Sequence, residues 1–161
     1  MQLVDGFYIP DGDLPKHHTA ESVIKHDKIL HDKVLEFTKD RNHMVDVGGN
    51  VGRWSLDFAQ DFKVVSAFEP APYHIECFQR NCHQYPNIHL FPYGLSNESK
   101  KGNLEIAVPQ HLGSTRVVPD SKGDILLKTL DEHKFNNVDV LKIDVEGLEI
   151  DVLQGAKDTI A

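Results

Sequence analysis

The stretch that decides the fold is Met44-Val45-Asp46-Val47-Gly48-Gly49-Asn50-Val51-Gly52. It predicts an apolar strand interrupted by one carboxylate, then a glycine-rich turn, and then a helix that begins near Arg53. Glycines let the backbone approach a ligand closely, and the first turn of a helix offers unpaired N–H donors and a partial positive charge. The stretch therefore predicts a pocket for a nucleotide-like ligand.

Short apolar strands alternate with helical segments along most of the chain. The predicted strands are 43–47, 64–68, 88–91 and 138–144, and the predicted helices are 20–39, 51–60, 72–83 and 148–159. This alternation is typical of βαβ units and predicts an α/β fold with a mostly parallel sheet. The right-handed crossover rule places the second strand beside the first, with helices on a face of the sheet.

Residues 97–130 interrupt the alternation. Prolines and glycines there separate three extended segments, 102–108, 113–118 and 124–130. They predict an insertion of antiparallel strands. We expect a single domain with its core at 43–161, preceded at 1–42 by a loop that contains one short strand and then by a helix.

Composition and charge narrow the range of partners. The chain has 161 residues, a net charge of −8 and 40% apolar residues, which fits one ordinary globular domain. No apolar run approaches the roughly 20 residues that cross a bilayer, and the N-terminus lacks the pattern of a signal peptide. We therefore expect a cytoplasmic protein without a membrane partner. The negative charge also predicts no nucleic-acid partner, because a phosphate backbone would repel the chain.

The cysteines and histidines form no metal or redox motif. Cys77 and Cys82 do not have the Cys-x-x-Cys spacing, and we expect them to be reduced, partly buried thiols. None of the ten histidines falls in a His-x₃-His or His-Glu-x-x-His pattern, so most are expected to be solvated surface residues. We expect no metal site.

Three carboxylates, Asp46, Glu69 and Asp144, lie where predicted strands meet the following loops. Ligands of open α/β sheets bind at the carboxyl ends of the strands. Burial of a lone carboxylate is costly, so Asp46 should have a cationic or hydrogen-bonding partner. Glu69 follows the glycine turn by about 20 residues, a separation that suits an acid binding ribose hydroxyls. In the alternative interpretation, Glu69 is an acid at the start of the next helix and interacts favourably with that helix end.

The glycine turn does not fit a dinucleotide site. The dinucleotide pattern is Gly-x-Gly-x-x-Gly, whereas this chain reads Asp46-x-Gly48-x-Asn50-x-Gly52. A carboxylate at the entrance of the loop repels a pyrophosphate and suits a ligand with an ammonium group. A nicotinamide-dependent dehydrogenase is therefore the least favoured interpretation.

Four motifs resemble, in order, those of the FkbM family of S-adenosylmethionine-dependent methyltransferases. They are Asp46 to Gly52, Ala67-Phe68-Glu69-Pro70, Thr129-Leu130-Asp131 and Leu141-Lys142-Ile143-Asp144-Val145-Glu146-Gly147, the last followed by Glu149 and Gly155. The resemblance runs from about residue 43 to residue 158. It implies a Rossmann-like class I methyltransferase fold, S-adenosylmethionine as cofactor, and methyl transfer to a hydroxyl on a sugar or small natural product.

The resemblance also implies a role for each motif. The implied cofactor-binding residues are Asp46 at the amino end of the cofactor, Gly48, Gly49, Asn50 and Gly52 under its methionine part, Glu69 with Pro70 at the ribose, Gly94, Leu95 and Ser96 at the adenine, and Asp144 at the sulfonium. Asp144 and Glu146 would also face the substrate, and one of them is expected to act as the general base. His111 is the outside candidate for that base, and a solvated loop histidine is its simpler interpretation.

A cation is expected between Asp46 and Asp144, because the first and fourth strands are neighbours in this fold class. Lys142, Asp144 and Glu146 alternate along the chain and so share one face. Two close carboxylates raise each other's pKa unless a cation lies between them. The candidates are Lys142, the ammonium of the cofactor, and a bound Mg²⁺ or Ca²⁺. The ammonium is the favoured one.

The sheet of class I methyltransferases continues beyond the fourth strand, whereas this sequence ends at Ala161. The fourth strand is therefore expected to form an open, apolar sheet edge. A partner chain, the N-terminal segment or a further part of the protein would cover it, and self-association is the favoured outcome. An active O-methyltransferase is the favoured function, and a domain that binds S-adenosylmethionine without methyl transfer is the alternative.

Overall fold

A computed structural model describes residues 1–14, 16 and 21–161, with side chains for all of these except 21–26. Its strands are β1 Gln2–Val4, β2 Phe7–Ile9, β3 His43–Val47, β4 Val64–Phe68, β5 Ile88–Phe91, β6 Gly94–Leu95, β7 Lys100–Val108, β8 His111–Pro119, β9 Ile125–Lys128 and β10 Val138–Ile143. Its helices are α1 Glu21–Phe37, α2 Arg53–Ala59, α3 Pro72–Cys82, α4 Glu149–Gln154 and α5 Lys157–Ile160, with a 3₁₀ turn at Asp131–His133.

The central sheet has the strand order β10-β3-β4-β5, and all its strands are parallel. Val47 pairs with Phe68 on one side and with Ile143 on the other, so these three strands end at the same level. All of β3 is buried, which explains its mostly apolar sequence. The predicted parallel sheet and the position of the second strand beside the first are confirmed.

The two faces of this sheet carry different cores. Met44 packs with Phe58 of α2 on one face, in a cluster that α1 also joins. Val45 packs with Val152 of α4 on the other face. Successive residues of a strand point to opposite faces, so Asp46 shares the face of Met44 and points toward α2.

A second sheet, with the order β6-β9-β7-β8, covers the carboxyl ends of the parallel strands. β7 pairs antiparallel with both β8 and β9, as the sequence predicts for residues 97–130. The antiparallel prediction does not extend to the whole sheet, because Gly94–Leu95, outside that segment, forms β6 and pairs parallel with β9. The N–H of Ser96 donates to the carbonyl oxygen of Lys128 at 2.8 Å and extends this pairing. The chain therefore changes sheets directly after β5.

The helix predicted at 148–159 is interrupted. It forms α4 and α5, which meet at Gly155 and Ala156. A Cβ on Gly155 would lie 2.1 Å from the carbonyl oxygen of Ser96, so only glycine allows this approach. Asp131 of the Thr-Leu-Asp motif accepts hydrogen bonds from the N–H groups of Asp158 and Thr159 in the first turn of α5. Contacts from other parts of the chain thus impose the break.

The N-terminal segment forms a hairpin, β1–β2, where the sequence predicts a loop with one short strand. The hairpin turns at Asp5 and Gly6, which both have positive φ. It docks on α3, because the side chain of Asn81 bonds both the N–H and the carbonyl oxygen of Tyr8. The predicted helix at 20–39 is confirmed as α1, although residue 20 lies outside the described residues.

β10 is an edge strand, as the sequence predicts. Within the described part of the chain it pairs only with β3, and the N-terminal hairpin lies on α3 and leaves this edge uncovered. Its six residues are half-buried, and Ile150 and Leu153 of the following helix are exposed.

None of the described helices is long and apolar enough to cross a membrane.

Candidate functional site

A cleft of about 280 Å³ lies at the carboxyl ends of β3, β4 and β10, under the second sheet. Most of the residues expected at the site line this cleft. They are Gly48, Gly49, Asn50, Glu69, Pro70, Gly94, Leu95, Asp144 and Glu146. Asp46, Gly52 and Ser96 are the predicted site residues that do not line it. The position of the site at the carboxyl end of the sheet follows the general rule for open α/β folds.

The glycine turn uses its backbone donors internally, which corrects the expected role of its N–H groups. Gly48 and Gly49 both donate to the carbonyl oxygen of Phe68, at 2.9 and 3.0 Å. The N–H of Asn50 donates to Glu69 Oε2 at 2.8 Å. Gly48 is required for a steric reason: its φ is 83°, and a Cβ there would lie 1.9 Å from the carbonyl oxygen of Asp144. The turn therefore shapes the cleft without supplying these amides to a ligand.

Asp46 lies beneath the glycine turn and is fully buried. Its Oδ2 accepts a hydrogen bond from Ser55 Oγ at 2.7 Å, and its Oδ1 lies 2.9 Å from Lys142 Nζ. The contact with Lys142 is an ion pair without good hydrogen-bond alignment, and the same ammonium donates to the carbonyl oxygen of Gly48 at 2.7 Å. The cation beside Asp46 is therefore Lys142, one of the alternatives from the sequence. The favoured partner, the ammonium of a cofactor, stays a prediction, and Asp46 does not line the cleft.

Gly52 and Ser96 support the site from outside. Gly52 precedes α2 with a φ of 92°, and a Cβ there would lie 2.6 Å from Cys82 Sγ. Ser96 is fully buried, and its backbone joins the second sheet. Both residues were expected to touch the ligand, but their close packing against other parts of the chain keeps them out of the cleft.

Glu69 ends β4 and faces the cleft with a side chain that is 7% exposed. Oε2 accepts the N–H of Asn50, and Oε1 accepts the N–H of Ala71 at 2.8 Å. Ala71 is the residue before α3, so Glu69 also stabilises the start of that helix, as the alternative interpretation expected. His74, from the first turn of α3, places Nδ1 at 3.4 Å from Oε1. These contacts fix the carboxylate in one orientation toward the cleft.

Lys142, Asp144 and Glu146 all line the cleft, as their alternation predicts. Asp144 and Glu146 are exposed, and Glu146 has a φ of 54°, a conformation that non-glycine residues rarely adopt. The following turn is held by Glu149, which accepts hydrogen bonds from the N–H groups of Gly147 and Val145. These bonds, with that of Gly147 the largest contribution, hold the pKa of Glu149 below its ordinary value. The turn thus presents two carboxylates at the mouth of the cleft.

β8 forms a roof over the cleft that the sequence analysis missed, apart from His111. The residues of β8 that line the cleft are His111, Gly113, Thr115 and Val117. They alternate, as expected for one face of a strand, while Arg116 on the other face is exposed and pairs with Glu105. Thr115 Oγ1 lies 2.7 Å from the hydroxyl oxygen of Tyr73 and connects the roof to α3. The period-two pattern of 111–117 is the signal that could have revealed this wall.

The roof is also tied to the N-terminal segment. Asp13 is 3% exposed, and its Oδ1 accepts the N–H of Leu112 at 3.3 Å and the N–H of Leu14 at 2.9 Å. The N–H of Leu14 also contacts the carbonyl oxygen of Gln110 at 3.3 Å. The segment before α1 therefore fixes the β7–β8 turn next to His111.

Further lining residues lie outside the predicted set, among them Asp27, Arg53, Trp54 and His74. Trp54 stacks on Phe58 at a ring separation of 5.6 Å, and Arg53 lies 4.9 Å above the ring of Phe7. Helical spacing from Val51 to Phe58 places Trp54 on the apolar stripe of α2. Helix periodicity cannot distinguish a residue that faces the core from one that also borders a cleft.

Cys77 and Cys82 are both free and buried, as expected. Burial raises the pKa of the Cys77 thiol to about 11 and that of the Cys82 thiol to about 12. Over the described residues, no three His, Cys, Asp or Glu side chains are grouped so that they could hold a metal ion. The expected absence of a metal stays a prediction.

Comparison with known proteins agrees with this geometry. Residues 46–161 match the family described as Methyltransferase FkbM domain. Methyltransferase 1 of Beauveria bassiana is 27% identical over 98% of this chain and 75% of its own length. The hexuronic acid methyltransferase AglP of Haloferax volcanii is 27% identical over 79% of this chain, and the match spans 55% of that protein. Among solved structures, precorrin-6y C5,15-methyltransferase of Geobacter metallireducens superposes with a TM-score of 0.52 at 13% identity, over 94% of this chain and 65% of that one.

Proposed function

The chain belongs to the FkbM methyltransferase family, and on that premise we propose that its cleft binds S-adenosylmethionine for methyl transfer to a hydroxyl group. The observation that carries the proposal is the orientation of Glu69, fixed by two backbone N–H groups and aimed into the cleft beside the glycine turn. A carboxylate held in this way suits the paired hydroxyls of a ribose. The family motifs support the proposal, because they contain this acid and this glycine turn.

The residues of the cleft fit this cofactor. Two buried atoms of the wall, Asn50 Oδ1 and His74 Nε2, have no hydrogen-bond partner in the described part of the chain, as expected for a wall that receives a polar ligand. Apolar side chains from β6 and β9, Leu95 and Leu127, line the same cleft and suit a flat purine. Asp144, at the end of β10, would lie toward the sulfonium.

When bound, the cofactor supplies an electrophilic methyl group. The contribution of the protein is to hold the acceptor oxygen in line with that methyl group and to exclude water from the reacting atoms. Asp144 or Glu146 would take the proton of the acceptor hydroxyl, because both carboxylates lie at the mouth of the cleft. His111 faces the same cleft from the roof and is the second candidate for this base.

For the acceptor we propose a hydroxyl of a sugar or a similar small natural product. Trp54 offers an aromatic surface in the cleft, and carboxylates and a histidine line the same cleft. The relative from Haloferax volcanii is named as a hexuronic acid methyltransferase, which supports an acidic sugar as the first acceptor to test. Arg53 of the lining would suit the carboxylate of such a sugar.

The test is calorimetry with S-adenosylmethionine and S-adenosylhomocysteine. We expect saturable binding of both ligands and at least about tenfold weaker binding by Glu69→Gln, because a hydrogen bond to a charged group contributes about 1.5–3 kcal/mol. Glu105→Gln, an exposed acid of the second sheet, is the matched control and should bind like the unmodified protein. Failure of the unmodified protein to bind either ligand would refute the proposal.

Methyl transfer is tested separately, by release of S-adenosylhomocysteine in the presence of uronic acids and neutral sugars. If Asp144 or Glu146 is the base, Asp144→Asn or Glu146→Gln should slow transfer by about 100-fold or more while the ligands still bind. Tight binding without release from any acceptor would instead support a domain that binds S-adenosylmethionine without transferring its methyl group.

A further inference from the structure

The cleft contains a group of hydrogen-bond acceptors centred on Glu69. Asn50 Oδ1 and His74 Nε2 are enclosed, line the cleft, and have no hydrogen-bond partner among the residues that the structure describes. His74 is only 3% exposed. Buried polar atoms without partners are rare in folded proteins, because each forfeits its bonds to water. A ligand with hydrogen-bond donors that lies against this wall would satisfy both atoms.

The hydrogen bond on the other side of the ring determines what His74 offers. Nδ1 lies 3.4 Å from Glu69 Oε1, which also accepts the N–H of Ala71. An ionised carboxylate only accepts hydrogen bonds, so Nδ1 carries the hydrogen of this pair. In a neutral imidazole the other nitrogen, Nε2, is then an acceptor.

The ring is held in this orientation by its neighbours. Tyr73 packs edge-on against the His74 ring at a centroid distance of 4.7 Å, and the Tyr73 hydroxyl is engaged by Thr115 of the roof. The wall around Glu69 therefore presents hydrogen-bond acceptors from three different residues. It suits a ligand with several hydrogen-bond donors. Hydroxyl groups meet this requirement, since each can donate one hydrogen bond and still accept another.

We infer that His74 is a specificity residue, whose Nε2 accepts a hydrogen bond from one ribose hydroxyl of the cofactor and so disfavours ligands that lack this donor. The inference rests on the proposed S-adenosylmethionine site, because the group bound at Glu69 is then the ribose. His74 acts beside Glu69: the carboxylate binds the diol, and the imidazole distinguishes a complete ribose from a deoxyribose.

The experiment uses calorimetry with S-adenosylhomocysteine and its 2′-deoxy and 3′-deoxy analogues. His74→Phe keeps a planar aromatic ring but removes both nitrogens, and it should weaken S-adenosylhomocysteine binding about tenfold. For the analogue that lacks the hydroxyl bound by His74, the affinity of His74→Phe should equal that of the unmodified protein. His74→Gln, whose amide can reach the position of Nε2, should restore most of the affinity.

His43→Gln is the matched control, because His43 is also buried but bonds Ser66 outside the cleft. It should bind all three ligands like the unmodified protein. Equal affinity of His74→Phe and the unmodified protein for S-adenosylhomocysteine would overturn the inference and leave the proposed function intact. An equal loss of affinity of His74→Phe for all three ligands would also overturn the inference, because that result would indicate a purely structural role of His74. No binding by the unmodified protein would overturn both proposals.

Discussion

At the level of single residues, the site depends on charges that are neutralised inside the fold. Asp46 has no exposed surface and pairs with Lys142, whose side chain is 15% exposed. Lys142 also bonds the carbonyl oxygen of Gly48, so one ammonium fixes both the buried acid and the glycine turn. The family motif at β10 thus contains a residue that holds the first motif in place. This role differs from that of the nearby carboxylates, which face the cleft.

Lys142→Met tests this pairing. The substitution leaves Asp46 buried without a cation, and we expect it to lower the free energy of unfolding by about 3–5 kcal/mol. The measurement is urea unfolding followed by circular dichroism. Adding Asp46→Asn should restore part of the loss, since the amide can still accept from Ser55. Lys122→Met, at an exposed lysine, is the control, and an equal effect of the two methionine variants would contradict the pairing.

At the level of elements, distant segments determine the shape of the cleft. The roof strand β8 is fixed by Asp13 at one end and contacts α3 through Thr115. The break between α4 and α5 is fixed by Asp131 and by the close approach of Gly155 to Ser96. Asp131 belongs to a family motif, and its hydrogen bonds show that it has a structural role at the start of α5.

Asp131→Ala should lower the free energy of unfolding by about 1 kcal/mol, as is typical for loss of a side chain that caps a helix. Burial opposes ionisation of Asp131, but hydrogen bonds from Thr159 and the N–H of Asp158 hold its pKa below the ordinary value of 3.8. The stabilisation of the fold by ionised Asp131 is therefore present above pH 3.8. It is lost as the pH falls further through the lowered pKa.

The measurement is thermal unfolding of Asp131→Ala and the unmodified protein at neutral pH and at successively lower pH. The difference between the two proteins should shrink in acid. Asp124→Ala, at an exposed acid of the same region, is the control and should unfold like the unmodified protein throughout. A difference that stays constant down to full protonation would contradict the role of the ionised carboxylate.

Asp13→Ala should loosen the β7–β8 turn, because the N–H of Leu112 loses its acceptor. Loss of one hydrogen bond of about 1 kcal/mol corresponds to about fivefold faster hydrogen exchange at that amide. The measurement is exchange by nuclear magnetic resonance or mass spectrometry. Asp11→Ala removes a neighbouring carboxylate that is 78% exposed and serves as the control. Unchanged hydrogen exchange at the Leu112 amide would show that the β7–β8 turn is stable without the Asp13 side chain.

At the level of the whole molecule, the parallel sheet has an open edge in the described part of the chain. The N-terminal hairpin docks on α3 and does not pair with β10. The helix that follows β10 exposes Ile150 at 71% and Leu153 at 47%. Unpaired strand edges beside apolar side chains favour pairing with another chain.

We propose that this edge pairs with a second copy of the chain. Sedimentation velocity should then show an average mass that rises with protein concentration, and Ile150→Lys should shift the chain toward the monomer. Leu3→Lys, at an exposed apolar residue of the N-terminal hairpin, is the control and should leave the mass unchanged. A monomer at every concentration would contradict self-association.

The sequence alone determined the parallel strands, the position of the second beside the first, the glycine turn, the acid after β4 and the two carboxylates after β10. These features follow from local periodicity and from the rule that ligands bind at the carboxyl ends of strands, so a linear pattern is enough to predict them. The resemblance of the motifs to a family added the expected class of cofactor.

Only the tertiary structure decided which groups meet. Lys142 reaches Asp46 and Gly48, and Asp13 reaches Leu112, across more than 90 positions of the chain in each case. β8 covers the cleft and Gly94–Leu95 forms a strand because the partners of both segments lie elsewhere in the chain. Such contacts depend on how whole elements pack. A linear pattern can indicate the two faces of β8 or name Lys142 as a candidate partner, but it does not determine which contact forms.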